Sequence, residues 1–275
     1  MLLDFLQYEF LTRALMAGML IGLLAPIVGL FLVVRRFSLL ADTLSHVSLL
    51  GVALALFFKL PLFLGALVGS LLGGVGMEWL RRSGKVMNEA VLALFLSGSL
   101  AAALVFLASV QGVNLSLFSY LFGSITTVSE FDLWWLLALV LLVIIFLILT
   151  YRKLFLVALD EDLARVDGVA VDVYNFLFIL LASLVVAAAF PIVGVLLIGA
   201  LMIVPVLTAM QWHRSFRQTL FLSIVMAELS VVCGFALSYH FSLPSGATIV
   251  LTALALFAAS FSINSYILAY LRGKN

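Results

Sequence analysis

The chain has 275 residues, of which 66% are hydrophobic and only 10% are charged, and its mean hydropathy is +1.33. Soluble domains carry about 25% charged residues, so this composition excludes a soluble globular protein and describes a polytopic membrane protein. A net charge of +1 leaves no nucleic-acid footprint, and the single cysteine, Cys233, excludes an internal disulfide. The N-terminus has Asp4 and Glu9 and no basic segment, and the first apolar run is long enough to span, so no cleavable signal peptide is expected.

Nine apolar runs of roughly 18–22 residues read as membrane spans. The first, Ala14–Val34, lies between Arg13 and Arg35 and has Pro26 as a kink position. The second, Leu39–Phe58, carries Asp42 and His46, and Lys59-Leu60-Pro61 turns the chain. The third, Leu62–Leu80, places Gly65, Gly69 and Gly73 on one face, which predicts close approach of another helix within the same chain rather than a dimer contact. A basic loop, Arg81–Lys85, leads to the fourth span, Ala90–Val110. The semi-polar stretch Gln111–Asp132 holds Leu115–Gly123, which is apolar but too short to cross and reads as an interfacial or re-entrant helix. The fifth span is Leu133–Thr150, followed by a polar segment, Tyr151–Asp172. The sixth is Val173–Phe190, closed by Pro191, and the seventh is Val193–Met210, interrupted by Pro205. A second basic loop, Trp212–Arg217, precedes the eighth span, Leu220–Tyr239, which has Glu228 near its middle. The ninth is Ala247–Tyr270, with Ser245 available as its N-terminal cap. Eight spans is the alternative, if one proline-interrupted run stops short. The fold class is therefore all-α, one transmembrane domain over residues 1–275. Pro-Ile-Val-Gly occurs at Pro26–Gly29 and again at Pro191–Gly194, a repeat short enough to arise by chance.

Orientation follows from the distribution of Lys and Arg. With the N-terminus outside and the C-terminus in the cytoplasm, all of the 14 Lys and Arg residues except Arg13 and Lys59 fall on the cytoplasmic side.

The second span holds the most unusual chemistry. Asp42 and His46 are spaced i, i+4, on one helix face, with Ser45 beside them. A carboxylate inside a bilayer costs roughly 3 kcal/mol on insertion scales and survives by facing an aqueous path or a partner. A hard oxygen and an imidazole nitrogen together also suit divalent transition metals. The pair is therefore either a metal-contact site or an ion pair that holds two helices together. Glu228 is the other candidate, as a further metal contact or as a hydrogen-bond partner of a neighbouring helix. His213 lies in a basic loop and reads as solvated, and His240 at the outer end of the eighth span is a boundary residue or a relay for an incoming cation. The sequence has no Gly-x-x-x-x-Gly-Lys-Ser/Thr phosphate loop and no His-Glu-x-x-His, Cys-x-x-Cys or Gly-x-Ser-x-Gly motif, so no enzymatic activity is expected of it.

In the polar segment, Ala158–Val169 predicts a helix of about two turns outside the membrane. Asp160 caps its start, Glu161 and Asp162 suit its positive end, and Gly168 suits its C-terminal cap. Leu163 and Val166 share one side. Such a helix either docks into a soluble partner or is a solvated connector.

Three motifs, Asp42-x-x-Ser45-His46-x-x-Leu49-x-Gly51, Asp160-x-x-x-Ala164-x-x-x-Gly168 and Pro244-Ser245-Gly246-Ala247-Thr248, make the chain resemble the membrane permease subunits of the zinc and manganese metal-uptake ABC transporters over nearly its whole length. The resemblance implies a bacterial-type cytoplasmic membrane, a homodimer with the path at its two-fold axis, and two copies of a cytoplasmic ABC ATPase. It also implies an extracytoplasmic metal-binding protein and a transported divalent metal with no permanently bound cofactor. It assigns Asp42 and His46, with Glu228 as a third candidate, to the metal. It assigns Asp160, Leu163, Ala164 and Gly168 to ATPase coupling, and Leu117, Phe118, Leu121 and Phe122 in the short outer helix to a gate. Thr43 and Val47-Ser48 look like the zinc branch, and Leu50 stands where manganese members carry proline, so the expected cargo is zinc, with manganese or iron as the alternative within the same family. A closed four-ligand zinc site is worth roughly 10–16 kcal/mol and would trap the ion. One Asp and one His per subunit make a site weak enough to release it. Two other readings compete: an ion-coupled secondary transporter with Asp42, His46 and Glu228 as a proton relay, and a scaffold or sensor.

Overall fold

The computed structural model describes residues 8–110 and 128–272, and among these there is no strand. The helices are α1 (Glu9–Val34), α2 (Leu39–Phe57), α3 (Leu62–Arg82), α4 (Asn88–Ser109), α5 (Glu130–Leu159), α6 (Glu161–Val166), α7 (Val171–Met210), α8 (Phe216–Phe241) and α9 (Ser245–Arg272). Nine segments of the described residues are long and apolar enough to cross a membrane; α6 is not one of them, and α7 supplies two.

α7 has 40 residues, so a straight rod would be about 60 Å long at 1.5 Å per residue, against a hydrocarbon core of about 30 Å. The Phe178 ring lies 5.9 Å from Phe31 of α1, and the Met202 carbonyl lies against Gly29, two residues away on the same helix. A straight helix would hold residues 178 and 202 about 36 Å apart, so the chain doubles back between them. It does so at Gly194, whose φ of 79° and ψ of 169° are non-helical. The sequence places this break at Pro191; the helical run instead continues past it and reverses at the glycine, because a left-handed φ carries no Cβ penalty there. Pro26 and Pro205 likewise lie inside continuous helix. The two copies of Pro-Ile-Val-Gly therefore do different work: Gly194 reverses the chain, and Gly29 lets α1 touch the α7 backbone.

α1, α2 and both halves of α7 form the centre, where Ile21, Leu24, Phe31, Leu44, Phe178, Ile198 and Leu201 are all but inaccessible. α5 and α9 lie outside, with Leu141, Ile148, Leu149, Leu251 and Phe261 exposed, as apolar side chains facing lipid would be. α2 and α3 meet almost backbone to backbone. Gly65 and Gly69 both lie against Gly51, and Gly73 lies against Val47. The glycine face of the third span thus serves packing within the chain, as its spacing predicts.

Two other boundaries differ from the sequence reading. α5 runs nine residues past Thr150 to Leu159. Arg152 and Lys153 end the hydropathic run but not the helix, because Leu154, Val157 and Ala158 keep a buried stripe going. α9 begins with Ser245 as its first residue, so Pro244 and not Ser245 holds the capping position; Thr248 Oγ1 donates to the Pro244 carbonyl at 2.8 Å.

One end of the bundle gathers the basic loops. There Phe31 and Phe155 stand 5.2 and 5.0 Å from Phe216, and Arg82 donates to the Asp172 carbonyl. The opposite end carries the Arg13–Glu130 ion pair at 2.9 Å and the Phe57–Phe106 ring contact at 5.6 Å.

Candidate functional site

Each face of α2 has a different neighbour. Val47, Gly51 and Ala55 meet α3. Thr43 is fully buried, donates to Leu39 O at 2.8 Å and approaches Leu92 O of α4 at 3.4 Å. Ser45 is fully buried and donates its hydroxyl proton back to Ala41 O at 2.9 Å. Asp42 faces the second half of α7, where a Cβ added at Gly199 would overlap its Oδ1. The missing side chain at Gly199 is thus what leaves room for the carboxylate.

Asp42 and His46 are both half-buried. Among the described residues Asp42 has no hydrogen-bond or ion-pair partner, and His46 Nδ1 is buried without one. The two side chains interact electrostatically and share no hydrogen bond. An interhelical clamp would spend these groups on partners, because unpaired buried polar groups cost about 1–3 kcal/mol each. Here an acid and an imidazole on one face are left with free lone pairs, which is the donor chemistry a passing cation needs.

The structure does not bring Glu228 to this pair. Its carboxylate lies against Gly22 of α1, 3.2 Å from where a Cβ would stand, with Oε2 buried and unpartnered. It lines a groove of about 560 Å³ with Met16, Met19, Leu133, Trp134 and Leu137. No group of three His, Cys, Asp or Glu side chains that could hold a metal forms among the described residues. Sequence reasoning also passes over a third carboxylate, Glu78 of α3. It is 1% exposed and is taken by Arg81 at 2.6 Å and Arg82 at 2.7 Å. The i+3 and i+4 arginines that neutralise it were the available signal. His213 and His240 are exposed at opposite ends of the bundle, His240 beside the Tyr239 ring.

The family model described as "ABC 3 transport family" matches residues 7–264. The chain belongs to the ABC 3 transport family. It is 31% identical over 272 residues to "Manganese transport system membrane protein MntC" of Halalkalibacterium halodurans, covering 98% of this chain and 93% of that protein. It is 32% identical over 267 residues to "Manganese import system permease protein ScaB" of Streptococcus gordonii, covering 96% of each. Among solved structures, "PsaBC from Streptococcus pneumoniae in complex with Fab" is similar, with a TM-score of 0.84 at 30% identity over 95% of both chains. This ABC 3 permease is accordingly a multi-pass protein of the bacterial plasma membrane that serves metal transport.

In this ABC 3 permease the short helix outside the membrane is formed as its sequence predicts. Asp160 Oδ1 accepts from Asp162 N at 2.9 Å and Leu163 N at 3.0 Å, and Gly168 takes a φ of 74°. The four residues expected to couple to an ATPase divide into three roles. Ala164 is fully buried among Val157 and Val171 and seats α6 on the body. Leu163 and Val166 are 53% and 84% exposed and form its outward face. Asp160 and Gly168 hold the ends. Leu117, Phe118, Leu121 and Phe122, expected as an outer gate, lie outside the described residues.

Proposed function

We propose that this chain is the membrane-spanning subunit of an ATP-driven importer of divalent transition-metal ions, with manganese as cargo. The observation that carries the proposal is the Asp42–His46 pair, left without partners on the face of α2 that meets Gly199. Two donors per chain leave most of an ion's coordination sphere to water and to a second copy of the chain. A homodimer with the path on its two-fold axis would provide two Asp and two His. The exposed face of α6 suits a cytoplasmic ATPase, and a metal-binding protein would deliver the ion at the opposite end. The bundle end with the basic loops then faces the cytoplasm, and lipid covers α5 and α9.

Manganese replaces the zinc expected from the sequence. The relatives named above carry manganese in their names. Two of the residues behind the zinc expectation face other helices: Thr43 faces α4 and Val47 faces α3. Carboxylate and water suit manganese, and the helix of the pair offers no thiolate, the ligand that most favours zinc, since the single cysteine, Cys233, is on α8. The test is ATP-dependent uptake of manganese, zinc and iron, each alone, by proteoliposomes holding this chain with its ATPase and binding protein. Uptake of manganese in preference to zinc is expected. Asp42→Asn, which keeps the shape and removes the charge, should lower uptake by about tenfold or more, the loss for at least ~1.4 kcal/mol of interaction with the ion. Normal uptake by Asp42→Asn places the path elsewhere, and preferred uptake of zinc overturns the cargo.

A further inference from the structure

At the basic end of the bundle, a guanidinium is buried where three helices meet. The Arg35 side chain is 6% exposed. Its Nη2 donates to Glu161 Oε1 of α6 at 3.1 Å and to Asn175 Oδ1 of α7 at 2.5 Å. The Asn175 amide in turn donates to Glu161 Oε1 at 3.0 Å, which closes a triangle, and Asn175 itself is fully buried. The Arg35 guanidinium also lies over the rings of Phe37, at 5.4 Å, and Phe178, at 5.6 Å. Arg81, fixed by the buried Glu78, also lies over the Phe37 ring, at 6.0 Å. Burial lowers the pKa of Arg35 from its usual value, and the Glu161 carboxylate opposes that shift.

The position of Arg35 in the chain gives this clasp a direction. Arg35 caps the end of α1, Arg36 turns the chain with a φ of 59°, and α2 begins at Leu39. Asp42 is seven residues from Arg35. The turn is short and tied by Phe37 N to Leu32 O at 2.8 Å, so it transmits a displacement rather than absorbing it. α6 is otherwise held through buried Ala164, the Asn175–Glu161 hydrogen bond to α7 and an exposed Arg165–Asp172 pair at 3.1 Å. The Glu161–Arg35 contact therefore links α6 to the turn that leads into the helix of the metal pair.

We propose that Arg35 is a positioning residue for transport: through Glu161 and Asn175 it ties the α1–α2 turn to α6, so that movement of α6 resets Asp42 and His46. The proposal rests on the reading of α6 as the ATPase-docking element, and it adds the link from that element to the site. A buried charged clasp is suited to this. It has good geometry in one arrangement, and its parts are costly to leave half-paired, so it favours discrete positions over continuous slack.

The experiment uses the assembled complex of this chain with its ATPase and binding protein in proteoliposomes, and measures manganese moved per ATP hydrolysed. Arg35→Ala and Glu161→Gln should each lower that ratio, by about tenfold for Arg35→Ala, within the range that substitutions along a coupled path produce. The ATPase should still co-purify. The charge-exchanged double variant, Arg35→Glu with Glu161→Arg, should recover part of the ratio, which an arginine acting only through its contacts with the Phe37 and Phe178 rings would not do. Glu161→Gln keeps an acceptor at the same place and covers the case in which Arg35→Ala does not assemble. An unchanged ratio in assembled Arg35→Ala or Glu161→Gln complex overturns the proposal. Failure of the underlying reading is separately visible: Val166→Asp, on the outward face of α6, would then leave the ATPase bound.

Discussion

Gly69→Ala tests the seating of α2 quantitatively. A Cβ at this position would stand 2.7 Å from Gly51 Cα, 3.1 Å from Gly51 N and 3.1 Å from Val47 O. All three are backbone atoms of α2, so no side chain can swing aside. Ordinary contact begins at 3.4 Å, so α2 must retreat by about 0.7 Å, and overpacking of this kind costs about 1–3 kcal/mol. The substitution also raises helix propensity by up to ~1 kcal/mol, and Gly98→Ala supplies the control for that gain. Gly98 lies in the body of α4 with nothing within 4 Å of an added Cβ. The difference between the two variants isolates the contact. Thermal unfolding of the purified complex in detergent should therefore rank Gly69→Ala below wild type and Gly98→Ala at or above it. Because α2 carries Asp42 and His46, metal uptake should fall for Gly69→Ala alone. If Gly69→Ala melts at or above Gly98→Ala, the close α2–α3 approach is not a property of the folded protein.

Two further outcomes are expected. Ala164→Asp puts a carboxylate among Val157 and Val171, where the native residue is fully buried; α6 should leave its seat and the ATPase should be lost during purification while membrane insertion stays normal, and a fully active assembled complex would contradict this. In a Cys233→Ser background, a cysteine at Ser83 should be shielded from an impermeant thiol reagent added outside intact cells, and labelling there would reverse the proposed orientation.

What could be read in the sequence was what depends on local composition and spacing. Nine spans follow from run length, since backbone polar groups in a bilayer must be satisfied within the helix itself. The glycine face of α3, the Asp160 and Gly168 ends of α6 and the i, i+4 placement of Asp42 and His46 depend on a period of 3.6 and on capping chemistry. Tertiary structure decided everything that depends on which face meets which neighbour. The chain reverses at Gly194 and not at Pro191, because only the packed positions of Phe178 and Met202 against α1 demand it. Gly199 makes room for the Asp42 carboxylate from 157 positions away along the chain, and no local pattern marks it. Glu228 shares the hydropathic context of Asp42 yet lies against Gly22 of α1, on a different helix interface. Arg35 ends an apolar run like any other flanking arginine and becomes a buried junction only when α6 and α7 close over it. Helical period assigns a residue to a face of its own helix; the partner on that face is set by long-range packing, where chain separation carries no information about distance.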